Sequence, residues 1–219
     1  MEKLVIHQIF LDIGLKPLSE RPVWLKHIES NKRLNPGAEH ILWDDEKVNK
    51  FIEDEVPEYN EIISNLRNKF YLIDFIRYLI LWKYGGCYID CDVGCKQSIE
   101  NIDYIVGKFD HHLEDVPSKI NNNVIKFKTK EEYKDLLDFC ISEMKRIEDN
   151  NLYKTMPGRH FLHSVSARMF NKYCRKRKIV SDVKFKDYFW DEEGKSWIGV
   201  CCKKSYTKNI DYGSVNYVE

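Results

Sequence analysis

YGGCYIDCDVGC, Tyr84 to Cys95, decides how this chain is read. Two glycines close off what precedes them. A short apolar run follows and stops on Asp90 and Asp92, with one residue between them. Asp is a poor strand former, so a pair of them here points to chemistry rather than folding. On an extended chain, residues two apart face the same way, which would aim both carboxylates beyond the strand end. Hard anionic oxygens converging there suit Mg²⁺ or Mn²⁺. In open α/β sheets, ligands bind beyond the carboxyl ends of the strands. D-x-D is also a common solvated turn, and at this point both readings stand. An EF-hand is excluded, because Gly94, Cys95 and Asn101 occupy the positions that need an acid, Gly and Glu.

Upstream, NKFYLIDFIRYLILWKY (68–84) is apolar on most faces and reads as a largely buried helix. Gly85-Gly86 ends it in the left-handed conformation that glycine favours, and Cys87 to Ile89 follows as a central strand. Asp74 and Arg77 lie inside the apolar helix, three residues apart and on one face, with Tyr78 beside them. They read either as an intrahelical ion pair or as part of a polar pocket that binds sugar hydroxyls.

The rest of the chain alternates strands and helices. Leu4–Leu11 reads as a first buried strand, Arg21–Lys32 as a helix, Asn35-Pro36-Gly37 as a turn and Glu39–Trp43 as a second strand. Asp44-Asp45 should start another helix, since Asp is a good N-cap. EDEVPEYNE (53–61) reads as an acidic solvated stretch. Strands are expected near 103–109 and 123–127, helices near 130–148 and 159–178, and β-structure from Val183 onward. Strands alternating with helices give an α/β sandwich.

Lys plus Arg equals Asp plus Glu, 35 each, and this balance argues against a nucleic-acid partner. Arg175-Lys176-Arg177-Lys178 reads as a solvated helix C-terminus. The seven cysteines form no C-x2-C pattern and read as reduced, buried thiols. No run approaches the roughly 18 apolar residues of a membrane span, and MEKLVIHQIF has no leader-like apolar region. The expectation is a soluble cytoplasmic protein, bacterial or from a large virus in its host.

DFIRYLILWKYGGCYIDCDV (74–93) resembles the signature of DXD-motif glycosyltransferases, nearest the family 32 group, with its pattern D-x-x-R-Y-x-x-L-x-x-x-G-G-x-Y-x-D-x-D. Asp74, Arg77, Tyr78, Leu81, Gly85, Gly86, Tyr88, Asp90 and Asp92 all fit it. VIHQIF (5–10) resembles the family's opening I-I-H-Q-I-W. Asn35-Pro36 through Ile41-Leu42-Trp43-Asp44-Asp45 resembles its N-P … W-D-D segment. The second half matches weakly. Asn122-Asn123-Val124-Ile125 stands for an Asn-led strand and Thr155–Gly158 for a T-G-P loop. The terminal His and S-W are replaced, with Asn209 at the His and Val215 at the Trp.

The resemblance implies an α/β GT-A fold, a Rossmann-like mixed sheet flanked by helices, in one domain. Residues 1–110 would form the nucleotide-sugar half, and 111–219 the acceptor side and a C-terminal lid. It implies a glycosyltransferase, retaining in outcome, that moves a hexose-type sugar from a UDP- or GDP-sugar to a glycan or other hydroxyl acceptor. Mn²⁺ or Mg²⁺ would be the cofactor. Asp92 would bind the metal directly and Asp90 through water, with Asn209, Asp211 and Ser214 completing the shell. Phe10, Asp74, Arg77, Tyr78, Tyr88 and Asp90 would hold the donor, and Arg159 or Lys203 and Lys204 could face the diphosphate. Two alternatives remain: a Mg²⁺-dependent phosphohydrolase using Asp90 as nucleophile, and a catalytically degenerate sugar-nucleotide-binding module.

Overall fold

The computed structural model of the chain describes residues 3–14, 16–66, 69–108, 120–150 and 165–191. The strands are β1 (Val5–Ile9), β2 (Glu39–Trp43), β3 (Cys87–Ile89), β4 (Val93–Cys95), β5 (Ile105–Lys108), β6 (Ile120–Lys126) and β7 (Phe189–Asp191). The helices are α1 (Pro22–Leu34), α2 (Asp45–Glu55), α3 (Asn60–Ser64), α4 (Lys69–Tyr84), α5 (Lys130–Asp149), α6 (Ala167–Arg177) and α7 (Phe185–Tyr188). Five strands form a mixed sheet in the order β2-β1-β3-β6-β5, and β4 pairs with β7 separately. The β2, β1 and β3 strands run parallel, while β6 and β5 are antiparallel to their neighbours. Successive residues of a strand feed opposite layers. Ile9, Tyr88 and Ile125 pack with α4, α5 and α6, whereas Ile6, Cys87, Ile89 and Val124 pack with Val93, Cys95, Phe185 and Phe189.

This topology fixes where a ligand can enter. From β1 the chain crosses over through α1 to β2 on one side, and returns through α4 to β3 on the other. Neighbouring parallel strands that diverge in this way leave a crevice at their carboxyl ends. That crevice lies between the end of β1, at Phe10, and the end of β3, at Asp90. The Cys91 thiol donates to the Ile9 carbonyl at 3.4 Å, which places the D-x-D segment against the end of β1.

Asp44 caps α2 as expected, its side chain accepting from the Lys47 amide at 2.9 Å. The hinge between α4 and β3 needs its glycines. Both have positive φ, and a Cβ on Gly86 would lie 2.2 Å from the Val5 carbonyl oxygen, so β1 could not pair so closely with any other residue there.

Three expectations are corrected. Asp90 and Asp92 are not joined by extended chain: β3 ends at Ile89, the Asp90 amide still donates to the Asn123 carbonyl at 2.8 Å, and the Val93 amide donates to the Asp90 carbonyl at 3.0 Å, closing a tight turn. The alternation argument therefore does not set the direction of Asp92 relative to Asp90. Residues 53–61 are not simply solvated, because Val56 is fully buried between α2 and a short 3-10 turn at Pro57–Tyr59. The segment after Val183 begins with α7, not a strand. The basic cluster does end α6, with Lys178 in the left-handed conformation, but Arg177 is paired with Asp135 of α5. The Thr155–Gly158 loop, Arg159, Lys203, Lys204, Asn209, Asp211, Ser214 and Val215 lie outside the described residues.

His7 binds the parallel strands to this hinge. Its Nε2 lies 3.1 Å from the Gly85 carbonyl, and Trp43 Nε1 donates to its Nδ1 at 3.2 Å. Nδ1 is thus an acceptor and Nε2–H the donor, which is the neutral tautomer. The rings of Trp43 and Tyr84 flank it. Burial pushes its pKa down from 6.5 to about 4, against the Gly85 hydrogen bond. The unfolded chain therefore takes up a proton that the folded chain refuses. The stability this represents is complete above about pH 6.5 and is lost as pH falls toward 4. It amounts to about 3 kcal/mol at that shift. In urea unfolding, the stability gap between the wild type and His7→Gln should narrow by about that amount from pH 7 to pH 4. A gap independent of pH would contradict the neutral assignment.

Candidate functional site

The site is built around Arg77, in the middle of α4. Its guanidinium donates to Asp74 at 2.8 Å, one helical turn back, and reaches Asp90 Oδ1 at 3.3 Å. It also donates to the Asn122 carbonyl on β6 at 2.8 Å, and it lies 4.5 Å over the ring of Tyr88. Helix, sheet and D-x-D turn are thereby tied by one planar cation whose side chain is 6% exposed. Arg suits this position because its fork offers several donors in one plane and its face stacks on an aromatic ring.

The surrounding groups are satisfied in turn. Asn122 donates to Asp74 Oδ1 at 2.7 Å and to the Tyr78 hydroxyl at 3.0 Å. Tyr78 donates to the Val165 carbonyl at 2.7 Å, just before α6. The Tyr88 hydroxyl donates to Asp90 Oδ1 at 2.5 Å. The two residues are two apart, so they sit on one side of the strand end. Burial pushes the Asp74 carboxyl up to about 6 despite Arg77, and Asp90 adds to the rise. Burial also raises Asp90, against Arg77 and the Tyr88 hydrogen bond. Burial alone would lower Arg77, but Asp74 and then Asp90 outweigh it and hold the guanidinium above its ordinary range.

Exposure separates two roles. Tyr78 and Tyr88 are fully buried, and Asp74 and Arg77 keep a narrow exposed edge of 5% each. The Asp90 side chain retains 29% exposure, and Asp92 is half-buried in the turn beside it. Both contacts described for Asp90 fall on Oδ1, so its second oxygen is the one available to a ligand. Asp90 and Asp92 together supply hard carboxylate oxygens at a solvent-reaching turn, a donor set that fits Mg²⁺ or Mn²⁺. Among the described residues, no group of three or more His, Cys, Asp or Glu could hold an ion. Phe10 is half-buried at the end of β1 and meets Trp24 of α1 edge to face, with ring centroids 6.0 Å apart. Arg21 lies 4.3 Å over the Trp24 ring.

The structure brings Asp74, Arg77, Tyr78, Tyr88 and Asp90 into one network, with Phe10 on the neighbouring strand end. Sequence reasoning missed Asn122 as the hub between Asp74 and Tyr78. Its signal was the run Asn121-Asn122-Asn123 in a strand, where buried amides need partners.

Residues 22–110 match the glycosyltransferase sugar-binding region containing a DXD motif. An inositol phosphoceramide mannosyltransferase of Schizosaccharomyces pombe is 34% identical over 105 residues, covering 46% of this chain and 31% of that protein. A mannosyl phosphorylinositol ceramide synthase of Saccharomyces cerevisiae is 40% identical over 67 residues, 31% of this chain and 18% of that protein. An uncharacterised glycosyltransferase of Acanthamoeba polyphaga mimivirus is 29% identical over 96 residues, covering 43% of this chain and 37% of that protein. The chain thus spans under two fifths of the length of each of these relatives. Among solved structures, the PaToxG glycosyltransferase superposes with a TM-score of 0.51 at 14% identity, over 93% of this chain and 75% of that one, and shares its fold. The resemblance to DXD-motif glycosyltransferases and the GT-A architecture are borne out. The expectation of a cytoplasmic protein is corrected: the yeast relatives are named for an acceptor and a product built on a ceramide, a membrane lipid. The described residues contain no helix long and apolar enough to cross a membrane.

The Arg77 network makes a stability prediction. Arg77→Ala leaves Asp74 and Asp90 facing each other without their shared cation, and should cost about 3–5 kcal/mol. Asp74→Asn keeps an oxygen for the guanidinium at a carboxyl already raised to about 6, and should cost less than half as much. Urea unfolding at pH 7 compares them; equal, small losses would mean that Arg77 is not the tie.

Proposed function

We propose that this chain, whose residues 22–110 match a glycosyltransferase sugar-binding region containing a DXD motif, transfers a hexose from a nucleoside diphosphate sugar to a hydroxyl acceptor with the help of a divalent cation. The observation that carries the reading is the placement of Asp90. It stands at the crevice between β1 and β3, half-turned to solvent, with one oxygen held by Arg77 and Tyr88.

In this reading the crevice takes the nucleotide, and Phe10 offers a ring against the base. Asp92 would hold Mn²⁺ or Mg²⁺ directly, and Asp90 would stand beside it and touch ribose or sugar. A bound divalent cation neutralises the departing nucleoside diphosphate. Asp74 and Arg77 meet the donor sugar at their exposed edge. Tyr78 and Tyr88, fully buried, act through Asp74 and Asp90 by keeping them in place. Transfer through an oxocarbenium-like transition state needs preorganised charge more than a nucleophile, and retention of configuration is the expected outcome. Two of the similar proteins are named for mannosyl transfer, which favours mannose as the sugar. The family match is to a sugar-binding region over residues 22–110, so the acceptor is proposed more broadly, as a hydroxyl of a glycan or glycoconjugate. Residues 1–110 form the donor half, and Asn209, Asp211 and Ser214 remain proposed oxygen ligands from the C-terminal segment.

The phosphohydrolase alternative is not favoured. It would use Asp90 as nucleophile, whereas residues 22–110 match a glycosyltransferase sugar-binding region.

The test is hydrolysis and transfer from a panel of UDP- and GDP-sugars, GDP-mannose included, with and without Mn²⁺, alongside p-nitrophenyl phosphate. Mn²⁺-dependent turnover of one nucleotide sugar is expected, with none of the phosphate ester. Asp92→Asn should melt like the wild type yet lose at least about 100-fold in turnover, as expected for loss of a direct metal ligand whose second-shell partners alone are worth about 10–100-fold. Undiminished activity in excess chelator, or a fully active Asp92→Asn, would overturn the metal assignment.

A further inference from the structure

We propose that Asn31, on α1, is a positioning residue for the D-x-D turn: its carboxamide takes the place of a missing neighbour strand and holds the backbone from which Asp92 projects. The proposal rests on the glycosyltransferase reading above and extends it to a residue outside the motif.

A three-residue strand cannot hold itself. β4 follows the turn directly and pairs with β7 along one edge, where Lys96 N donates to the Tyr188 carbonyl at 2.7 Å. On a strand, residues two apart present their backbone groups to the same edge. Val93 and Cys95 therefore share the other edge, and Asn31 occupies it. Its Nδ2 donates to the Val93 carbonyl at 3.1 Å, and its Oδ1 accepts from the Cys95 amide at 2.6 Å. One side chain thus supplies the donor and acceptor that a third strand beside β4 and β7 would have offered. Asn31 is fully buried, so neither backbone group has water to fall back on.

The approach is specific to this geometry. A Cβ at Gly94 would lie 2.8 Å from Ser30 Oγ and 2.9 Å from the His27 ring. Glycine here is what lets α1 come close enough for an amide as short as that of Asn to bridge the edge. One turn on, fully buried Asn35 continues the seam. Its Nδ2 donates to the Asn31 carbonyl at 2.9 Å, and its Oδ1 accepts from the Ile99 amide at 2.8 Å.

The turn is then fixed on every side. Asp90 N donates to the Asn123 carbonyl at 2.8 Å, Cys91 donates to Ile9, Val93 N closes on Asp90, and Val93 and Cys95 are held by Asn31. Asp92 lies between those anchors. A carboxylate held in place before its cation arrives binds it with less ordering cost.

The test measures Mn²⁺ affinity without turnover, by electron paramagnetic resonance, in the presence of UDP or GDP, whichever the wild-type chain retains. Asn31→Ala and Gly94→Ala are compared with Glu143→Gln. Glu143 joins Arg146 and Lys172 between α5 and α6, away from the site, and serves as a control for plain destabilisation. Asn31→Ala should weaken Mn²⁺ binding by about tenfold, the low end for outer-shell partners of a metal ligand. Metal-free nucleotide binding should be unchanged. Glu143→Gln should lower the melting temperature and leave Mn²⁺ affinity alone. If Asn31→Ala fails to fold, Gly94→Ala carries the test, because it pushes β4 off α1 while leaving the carboxamide in place. Wild-type Mn²⁺ affinity in a folded Asn31→Ala or Gly94→Ala would overturn the role of Asn31 and leave the enzyme reading intact. A wild-type chain that binds no Mn²⁺ with either nucleotide would overturn both.

Discussion

The Arg77 guanidinium lies between the carboxylates of Asp74 and Asp90, with the Asn122 carbonyl on a further donor and the Tyr88 ring beneath it. Taking a cation this far from water costs several kcal/mol, and it is sustained when its partners are close and its donors are all used. These partners come from three elements: Asp74 from α4, Tyr88 and Asp90 from β3 and its end, and Asn122 from β6. Removing the cation would therefore do more than lose an ion pair, because three backbones would lose their common reference. One cation between two carboxylates also leaves an excess of negative charge, and Asp90 presents it at the solvent side. The arrangement is stable alone and still suited to a cation beyond Asp90.

The turn that carries Asp92 depends on close approach of backbones. Gly86 lets β1 lie against the hinge, and Gly94 lets α1 lie against β4. Without those contacts Cys91 could not reach the Ile9 carbonyl, nor Asn31 the edge of β4. The apolar layers on either side of the sheet supply the driving force for folding, while these polar contacts determine which of many compact arrangements is reached.

Much of this was legible in the sequence, for physical reasons. The helix of 69–84 is long and apolar, and glycine punctuates its end. The Asp44 cap and the Asn-Pro-Gly turn are local chemistry. The pair Asp74 and Arg77 shares a face at a spacing of three whatever the tertiary context. What was not legible is tertiary. The turn at Asp90–Val93 looks extended when only its apolar approach is read. Val56 is hidden among acids, though its own side chain is fully buried. Near the C-terminal end, VKFKDYFW alternates like a strand. Phe185 and Phe189, four apart, instead stack at 5.0 Å across a helical turn, so the four-residue spacing won over the two-residue one. Asn31 reads from sequence as one more polar residue on a basic helix, because its partners are backbone groups more than sixty residues away.

The length of the 74–92 signature has a geometric cause. From Arg77 to Gly85 the chain climbs eight residues of helix, about 12 Å at 1.5 Å each. At the two glycines it reverses. From Gly86 to Asp90 it returns along extended chain for four residues, about 13 Å at 3.3 Å each. Helix and strand therefore travel equal distances in opposite directions, and Asp90 arrives level with Arg77, where the two meet at 3.3 Å. Tyr88 falls two residues short, on the same side of the strand, so its ring passes beneath the guanidinium and its hydroxyl reaches the same carboxylate oxygen. An extra residue on the strand arm would carry Asp90 about 3 Å past Arg77 and turn it to the opposite face. An extra residue in the helix would rotate Arg77 by about 100° away from the sheet. The spacing between the acid pair and the arginine is thus a length match between two kinds of chain, and it constrains the site as strongly as the identity of its residues.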